Sequence, residues 1–179
     1  KGGYEFHLVT DVCLPFQDDH FDVVLTNHVI EHVGPRSEQA RHLDEVRRVL
    51  KPNGLAYLAV PNRWMLVEPH YRLIFLSWLP EKLRTPYLKA MGRGDFYDCR
   101  PLTCGGLRRL LTDAGFDYQH MELCALRKTF EIEGKATVFQ RVAAILPDRF
   151  YRLLRRLFPT LICLLSHRGT QSALKTHEE

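Results

Sequence analysis

The chain has 179 residues, 45% of them hydrophobic and 26% charged, which is about one domain in length with enough apolar side chains for a buried core. Those values exclude a disordered tail, a collagen-like fibre and a disulfide-stapled miniprotein. Net charge is +4, but residues 1–62 carry 6 Lys/Arg against 9 Asp/Glu and residues 63–179 carry 19 against 12, a split that suits an anionic ligand or a membrane surface and is too mild to imply nucleic acid alone.

In chain order, Lys1-Gly2-Gly3 opens without a Met and runs almost at once into a strand-like segment, so the sequence reads as a piece of something longer. Leu8 to Val12 reads as a strand end, Leu14 to Asp19 as a turn and Phe21 to Thr26 as a second strand, apolar as a strand covered on both faces should be. A helix is predicted from Glu38 to Lys51, with Ser37 as N-cap and Ala40, Leu43, Val46 and Leu50 as its apolar stripe. Lys51-Pro52-Asn53-Gly54 is expected to stop it, and Leu55 to Val60 to follow as a third buried strand. Residues 63–100 form a long aromatic-rich insertion holding Trp64 and Trp78, and insertions of this length are usually functional. Beyond it come a helix over Thr103–Ala114 ended by Gly115, a strand over Phe116–Leu123, helices within 134–157, a closing strand over Thr160–Ser166, and a polar tail from Gly169.

Alternation of strand, helix and strand predicts an α/β fold with a mostly parallel sheet. Ligands in such folds bind beyond the carboxyl ends of the strands. That singles out Asp11 and Val12, Asn27 and His28, and Pro61 to Arg63. The five cysteines are odd in number and none form a Cys-x-x-Cys pair, which fits a reducing, cytoplasmic setting better than disulfides or a zinc ribbon. Apolar runs fall far short of the ~20 residues of a membrane span.

One motif has two readings. His28-Val29-Ile30-Glu31-His32 matches H-x-x-E-H, the inverted zinc-peptidase pattern. That chemistry needs both imidazoles on one long helix, and Gly34-Pro35 leaves no room for one, so no metal is expected there. The second reading comes from a larger ordered set: Asp11-Val12, Leu14-Pro15-Phe16, Phe21-Asp22-Val23-Val24, Ile30-Glu31-His32-Val33, Arg48 to Gly54 and Val60-Pro61-Asn62. This run resembles the class I S-adenosylmethionine-dependent methyltransferases, closest to the small-molecule branch that includes ubiquinone- and menaquinone-biosynthesis enzymes. The likeness is close over residues 8–62 and looser over 101–123.

The resemblance implies a Rossmann-like methyltransferase fold, an αβα sandwich lacking its first strands, with residues 1–168 as the C-terminal portion of one domain and 169–179 as its tail. It implies S-adenosylmethionine as cofactor, with Asp11 and Val12 reading adenine and Asn27 and His28 near the methionine or ribose. His32 is then a candidate catalytic base, and His70, Tyr71 and Trp78 belong to a substrate lid over a small-molecule or lipid-like acceptor. The family's glycine-rich loop and ribose-binding acid do not precede Asp11, so weak or no cofactor binding is expected of these residues alone. A degenerate binding or scaffold domain and an RNA-modifying enzyme remain alternatives. Peripheral membrane contact through residues 64–80, or through the basic run Arg149, Arg152, Arg155 and Arg156, is a further expectation.

Overall fold

A computed structural model describes residues 3–133 and 158–170. The expected helices within 134–157, with their arginines, and the tail beyond Thr170 lie outside the described residues. Four strands form the main sheet in the order β1-β2-β6-β5: β1 (Phe21–Asn27), β2 (Leu50–Pro61), β5 (Phe116–His120) and β6 (Thr160–His167). β1 and β2 are parallel, and β6 runs antiparallel to both β2 and β5, so three strands share one direction. Helix α1 (Arg36–Val49) connects β1 to β2, α3 (Cys104–Asp113) precedes β5, and α4 (Glu122–Glu133) packs against β6.

Periodicity explains the core. Leu43 and Val46 of α1 meet Ala56, Leu58 and Val60 of β2, Leu107, Leu110 and Leu111 of α3, and Leu161, Cys163 and Leu165 of β6. Alternate residues of β2 and β6 enter this one cluster, as a period of two requires. The opposite face of β1 is more open, with Val23 60% and Leu25 73% exposed, and its outer edge has no pairing strand among the described residues.

Several expectations need correction. Leu8 to Val12 form no strand: Thr10 to Val12 are bends, Leu8 is 92% exposed, and the segment does not pair with the open edge of β1. Ser37 is not the cap of α1: the N-cap is Pro35, with no side-chain cap bond, and Ser37 falls in the first turn. Lys51 to Gly54 do not separate helix from strand either. Strand β2 begins at Leu50, and the register jumps from Phe21↔Leu50 to Val23↔Leu55, so the Pro-Asn-Gly run is an irregularity inside the strand. Gly54 is required there, since a Cβ would lie 2.9 Å from the Asp22 carbonyl oxygen and 2.8 Å from Leu50 Cδ1. The strand after α3 stops at His120, and Leu123 belongs to α4. Thr103 caps α3 by accepting from Gly106 N–H at 3.0 Å, and Gly115 turns the chain at φ 77°.

The insertion has its own elements: a short hairpin of β3 (Val67–Glu68) and β4 (Leu73–Ile74), a 3-10 turn at Leu76–Trp78 and helix α2 (Glu81–Ala90). It leaves and rejoins the domain at one place. Leu102 N–H donates to Pro61 and Arg63 N–H to Leu102, at 3.1 and 2.9 Å. Leu73, Leu76, Leu88, Tyr97 and Cys99 make a second, smaller core there.

Candidate functional site

The parallel register Asn27↔Ala59 brings the carboxyl ends of β1 and β2 side by side. His28 then takes a left-handed conformation, φ 54°, while its N–H donates to the Ala59 carbonyl at 2.9 Å. That conformation is uncommon for a residue with a Cβ, and it turns the chain abruptly off the strand. Ile30, fully buried, pins the loop. Gln39 on α1 donates to the carbonyls of Ile30 and Arg100, at 3.2 and 3.1 Å, and Arg100 N–H donates to the Glu31 carbonyl at 2.8 Å. The loop after β1, the start of α1 and the end of the insertion are thereby clamped together.

Side chains of unusual density meet at this clamp. Glu31 is fully buried, with Oε1 3.2 Å from His28 Nδ1 and 3.9 Å from His32 Nε2. His32 Nδ1 lies 3.4 Å from Asp98 Oδ2, and Cys99 Sγ lies 3.8 Å from both ring nitrogens. From the insertion, the His70 ring stands edge to face with His32, centroids 5.6 Å apart. His70 Nδ1 donates to Glu68 Oε1 and Tyr71 N–H to Glu68 Oε2, both at 2.7 Å, and Glu68 is 1% exposed. Burial pushes the Cys99 thiol and the Tyr97 hydroxyl well above their usual ranges. Asp98 titrates low: against a burial penalty, its backbone hydrogen bond and the nearby His32 favour the carboxylate.

Beside the cluster is a cavity of about 280 Å³ whose lining includes Arg36, Arg63, Arg84, Arg100, Gln39 and Glu81. Glu81 is ion-paired with Arg100, leaving the cavity wall cationic. Arg84 is 5% exposed and is held by the carbonyls of Leu79 and Ser77, at 2.9 and 3.2 Å. Burial, with Arg63 and Arg100 nearby, lowers its pKa. The Arg63 Nε is buried without a hydrogen-bond partner. The first turn of α1 contributes Arg36 and Gln39, so a helix N-terminus with its partial positive charge opens on the same space.

The residues expected from sequence divide into three groups. Asp11 is exposed and its Oδ1 accepts from Cys13 N–H at 2.6 Å, an Asx turn, while Val12 is 8% exposed. Asn27 and His28 sit at the end of β1, and His32, His70 and Tyr71 are brought together across 38 or more residues of chain. Trp78 belongs elsewhere: its Nε1–H donates to Met65 O at 2.8 Å, and it packs with Phe75 and Trp64. Both His32 nitrogens lie within 4 Å of protein groups, which is the setting of a held imidazole. Arg63 lies in the strand-end stretch singled out from sequence, whereas Glu68, Asp98, Cys99 and Arg84 have no assigned role there. Glu68-Pro69-His70 was a visible local pair, but Asp98 and Cys99 reach His32 only through the fold.

The methyltransferase-domain family matches residues 4–58, the stretch that carries β1, α1 and most of β2. A Methanosarcina mazei S-adenosylmethionine-dependent methyltransferase superposes with a TM-score of 0.55 at 20% identity, over 93% of this chain and 69% of that one. The fold is that of a class I S-adenosylmethionine-dependent methyltransferase. An uncharacterized protein of Methanocaldococcus jannaschii is 40% identical over 55 residues, which is 31% of this chain and 23% of that protein. A Haloferax volcanii protein solved in complex with the Trm112 methyltransferase activator superposes less well, with a TM-score of 0.45 at 20% identity, over 90% of this chain and 61% of its own. The chain thus spans less than a quarter of the curated relative and under two thirds of the Haloferax protein. On the methyltransferase fold, the His-rich cluster and the arginine cavity both lie at the carboxyl ends of β1 and β2. Among the described residues no helix is long and apolar enough to cross a membrane.

Proposed function

We propose that the protein transfers the methyl group of S-adenosylmethionine to a small-molecule or lipid-like acceptor that carries an anionic group. The match of residues 4–58 to the methyltransferase-domain family carries this reading. The activated S–CH₃ bond breaks as the acceptor's lone pair forms the new bond to carbon, so placement in line with the sulfonium does most of the catalytic work. Asp11, an exposed carboxylate beside the buried Val12, and Asn27, exposed at the end of β1, are open polar groups of the kind an adenosyl ligand uses. His28 stands next to them on its left-handed turn.

The arginine cavity supports the anionic acceptor. Three cations not bound to Glu81 converge there, and one of their buried donors has no partner, a polar imbalance that a phosphate or carboxylate would correct. An apolar acceptor tail is supported by the insertion's outer surface, where Trp64, Leu66, Val67, Ile74, Phe75 and Trp78 are each 40–57% exposed. A patch of this kind also suits contact with a membrane surface.

The test is methyl transfer from labelled S-adenosylmethionine to phosphorylated and neutral amphiphiles, using the protein with whatever sequence naturally precedes Lys1. The phosphorylated acceptor should be preferred, and Arg63→Ala should raise its KM about tenfold or more while cofactor affinity holds. Equal use of both acceptors, or salt-sensitive transfer to RNA instead, would refute the assignment.

A further inference from the structure

We propose that His32, Asp98 and Cys99, with His70 beside them, form a binding site for one zinc-type divalent cation, which clips the insertion to the loop after β1. The inference is independent of methyl transfer. Zinc takes thiolate, imidazole and carboxylate ligands in a tetrahedron with bonds of about 2.0–2.3 Å, which sets neighbouring donor atoms roughly 3.3–3.6 Å apart. The observed separations are 3.4 Å from His32 Nδ1 to Asp98 Oδ2, 3.8 Å from His32 to Cys99 Sγ and 3.6 Å from Cys99 Sγ to Asp98 Oδ1. Those three residues, and separately Glu68, His70 and Cys99, each present donor atoms within 4.8 Å of one another. Cys99 is common to both sets and the His70 ring faces His32, centroids 5.6 Å apart, so His70 stands next to an ion held by the first set.

At His70 the surroundings follow the pattern of a metal site's outer layer, in which a carboxylate holds the far nitrogen of a ligating imidazole. Glu68 takes the Nδ1 proton of His70, leaving Nε2 as its donor. Glu31 stands behind His32 on the side away from Asp98, 3.9 Å from Nε2. Both glutamates are essentially fully buried, neither is ion-paired to Lys or Arg among the described residues, and Glu31 Oε2 has no hydrogen-bond partner. Buried carboxylates need compensating positive charge, and a dication supplies it. His32 and Asp98 side chains are 35% and 56% exposed, which leaves an entry path from solvent. His28 and His32 share no helix, and His32 instead meets Asp98 and Cys99, 66 and 67 positions away.

The experiment uses the metal-stripped protein titrated with zinc alone, in competition with a chromogenic chelator, and with cobalt as a spectroscopic substitute. The expected result is one ion per chain, tetrahedral cobalt absorption with a thiolate charge-transfer band, and slower proteolysis of residues 63–100 when metal is present. Cys99→Ser should remove the thiolate band, and His32→Ala, on a partly exposed ring, should weaken binding about 100-fold or more; Glu68→Gln should cost about 10–100-fold. Cys104→Ser, at a half-buried cysteine away from the cluster, should change nothing. Circular dichroism confirms that each variant is folded. Absence of stoichiometric binding by the wild-type chain would overturn the proposal. Unchanged binding in folded Cys99→Ser and His32→Ala would overturn it equally.

Discussion

The two halves of the site differ in the size of the apolar cluster behind them. Residues 21–62 form a βαβ unit whose aliphatic interior is continuous with the large cluster that runs from Leu43 through Leu58 to Leu165, with Thr26, Glu31, Gln39, His42 and Asn62 buried around it. The insertion, residues 63–100, has only five buried hydrophobic residues in its own cluster. Around them it buries Glu68, Ser77 and Arg84, polar groups that must each find partners. A sheet-based core tolerates sequence drift if volume and pattern persist. A polar-stitched segment depends on single side chains, which makes it suited to shaping a particular ligand's surroundings.

The largest effect should come from the sheet. Leu58→Ala removes a fully buried side chain at the centre of β2 and should cost about 3–5 kcal/mol in denaturant unfolding, by lost burial and an unfilled cavity. Leu88→Ala, also fully buried but inside the insertion, should instead act locally. Hydrogen exchange should quicken across α2 and Tyr97–Cys99 while amides of β1 and β2 keep their protection. If both regions lost protection together, the insertion would be an integral part of the main core and the contrast would fail. Arg84→Leu comes next. It removes the donors to Leu79 and Ser77 carbonyls and should cost about 1–3 kcal/mol, again concentrated in the insertion. A loss below the error of the measurement would show that packing rather than polar stitching holds that segment.

The same contrast decides what could be read from the sequence. Strands β1, β2 and β6 and helices α1 and α3 announce themselves through apolar periodicity and the glycine and proline punctuation around them, but their order does not tell that β6 enters antiparallel between β2 and β5. The strand expected at Leu8–Val12 fails because apolar composition alone does not supply a pairing partner. The Lys51-Pro52-Asn53-Gly54 signal was a true local irregularity, but the ladder to β1 absorbed it as a register jump. Asn27 and His28 could be named as candidates because parallel-sheet folds put ligands at strand ends, and His32 through the family resemblance. Asp98, Cys99 and Arg84 could not, since nothing within a few residues of them marks a site; the partners of Arg84 and Cys99 arrive from as many as 7 and 67 positions away.

The smallest effect probes a polar group hidden inside the legible half. His42 lies on the buried face of α1, 8% exposed, with Nε2 3.0 Å from the Thr26 hydroxyl oxygen on β1. Burial lowers its pKa below the usual 6.5, so the folded chain holds His42 neutral where the unfolded chain has begun to take up a proton. The unfolded state therefore binds more protons in that window. The stability His42 contributes is complete above about pH 6.5 and is lost as pH falls toward its lowered folded value, by at most about 1.4 kcal/mol per pH unit. His42→Gln keeps a hydrogen-bonding side chain for Thr26 and removes the titration. Its unfolding midpoint should fall less than that of the wild type between pH 7.5 and 5.5, although its stability at pH 7.5 can be lower. Superimposable pH profiles would mean that His42 is solvated in the native state. The apolar face of α1 would then be less closed than its periodicity implies, and the sheet half would share the insertion's dependence on individual polar contacts.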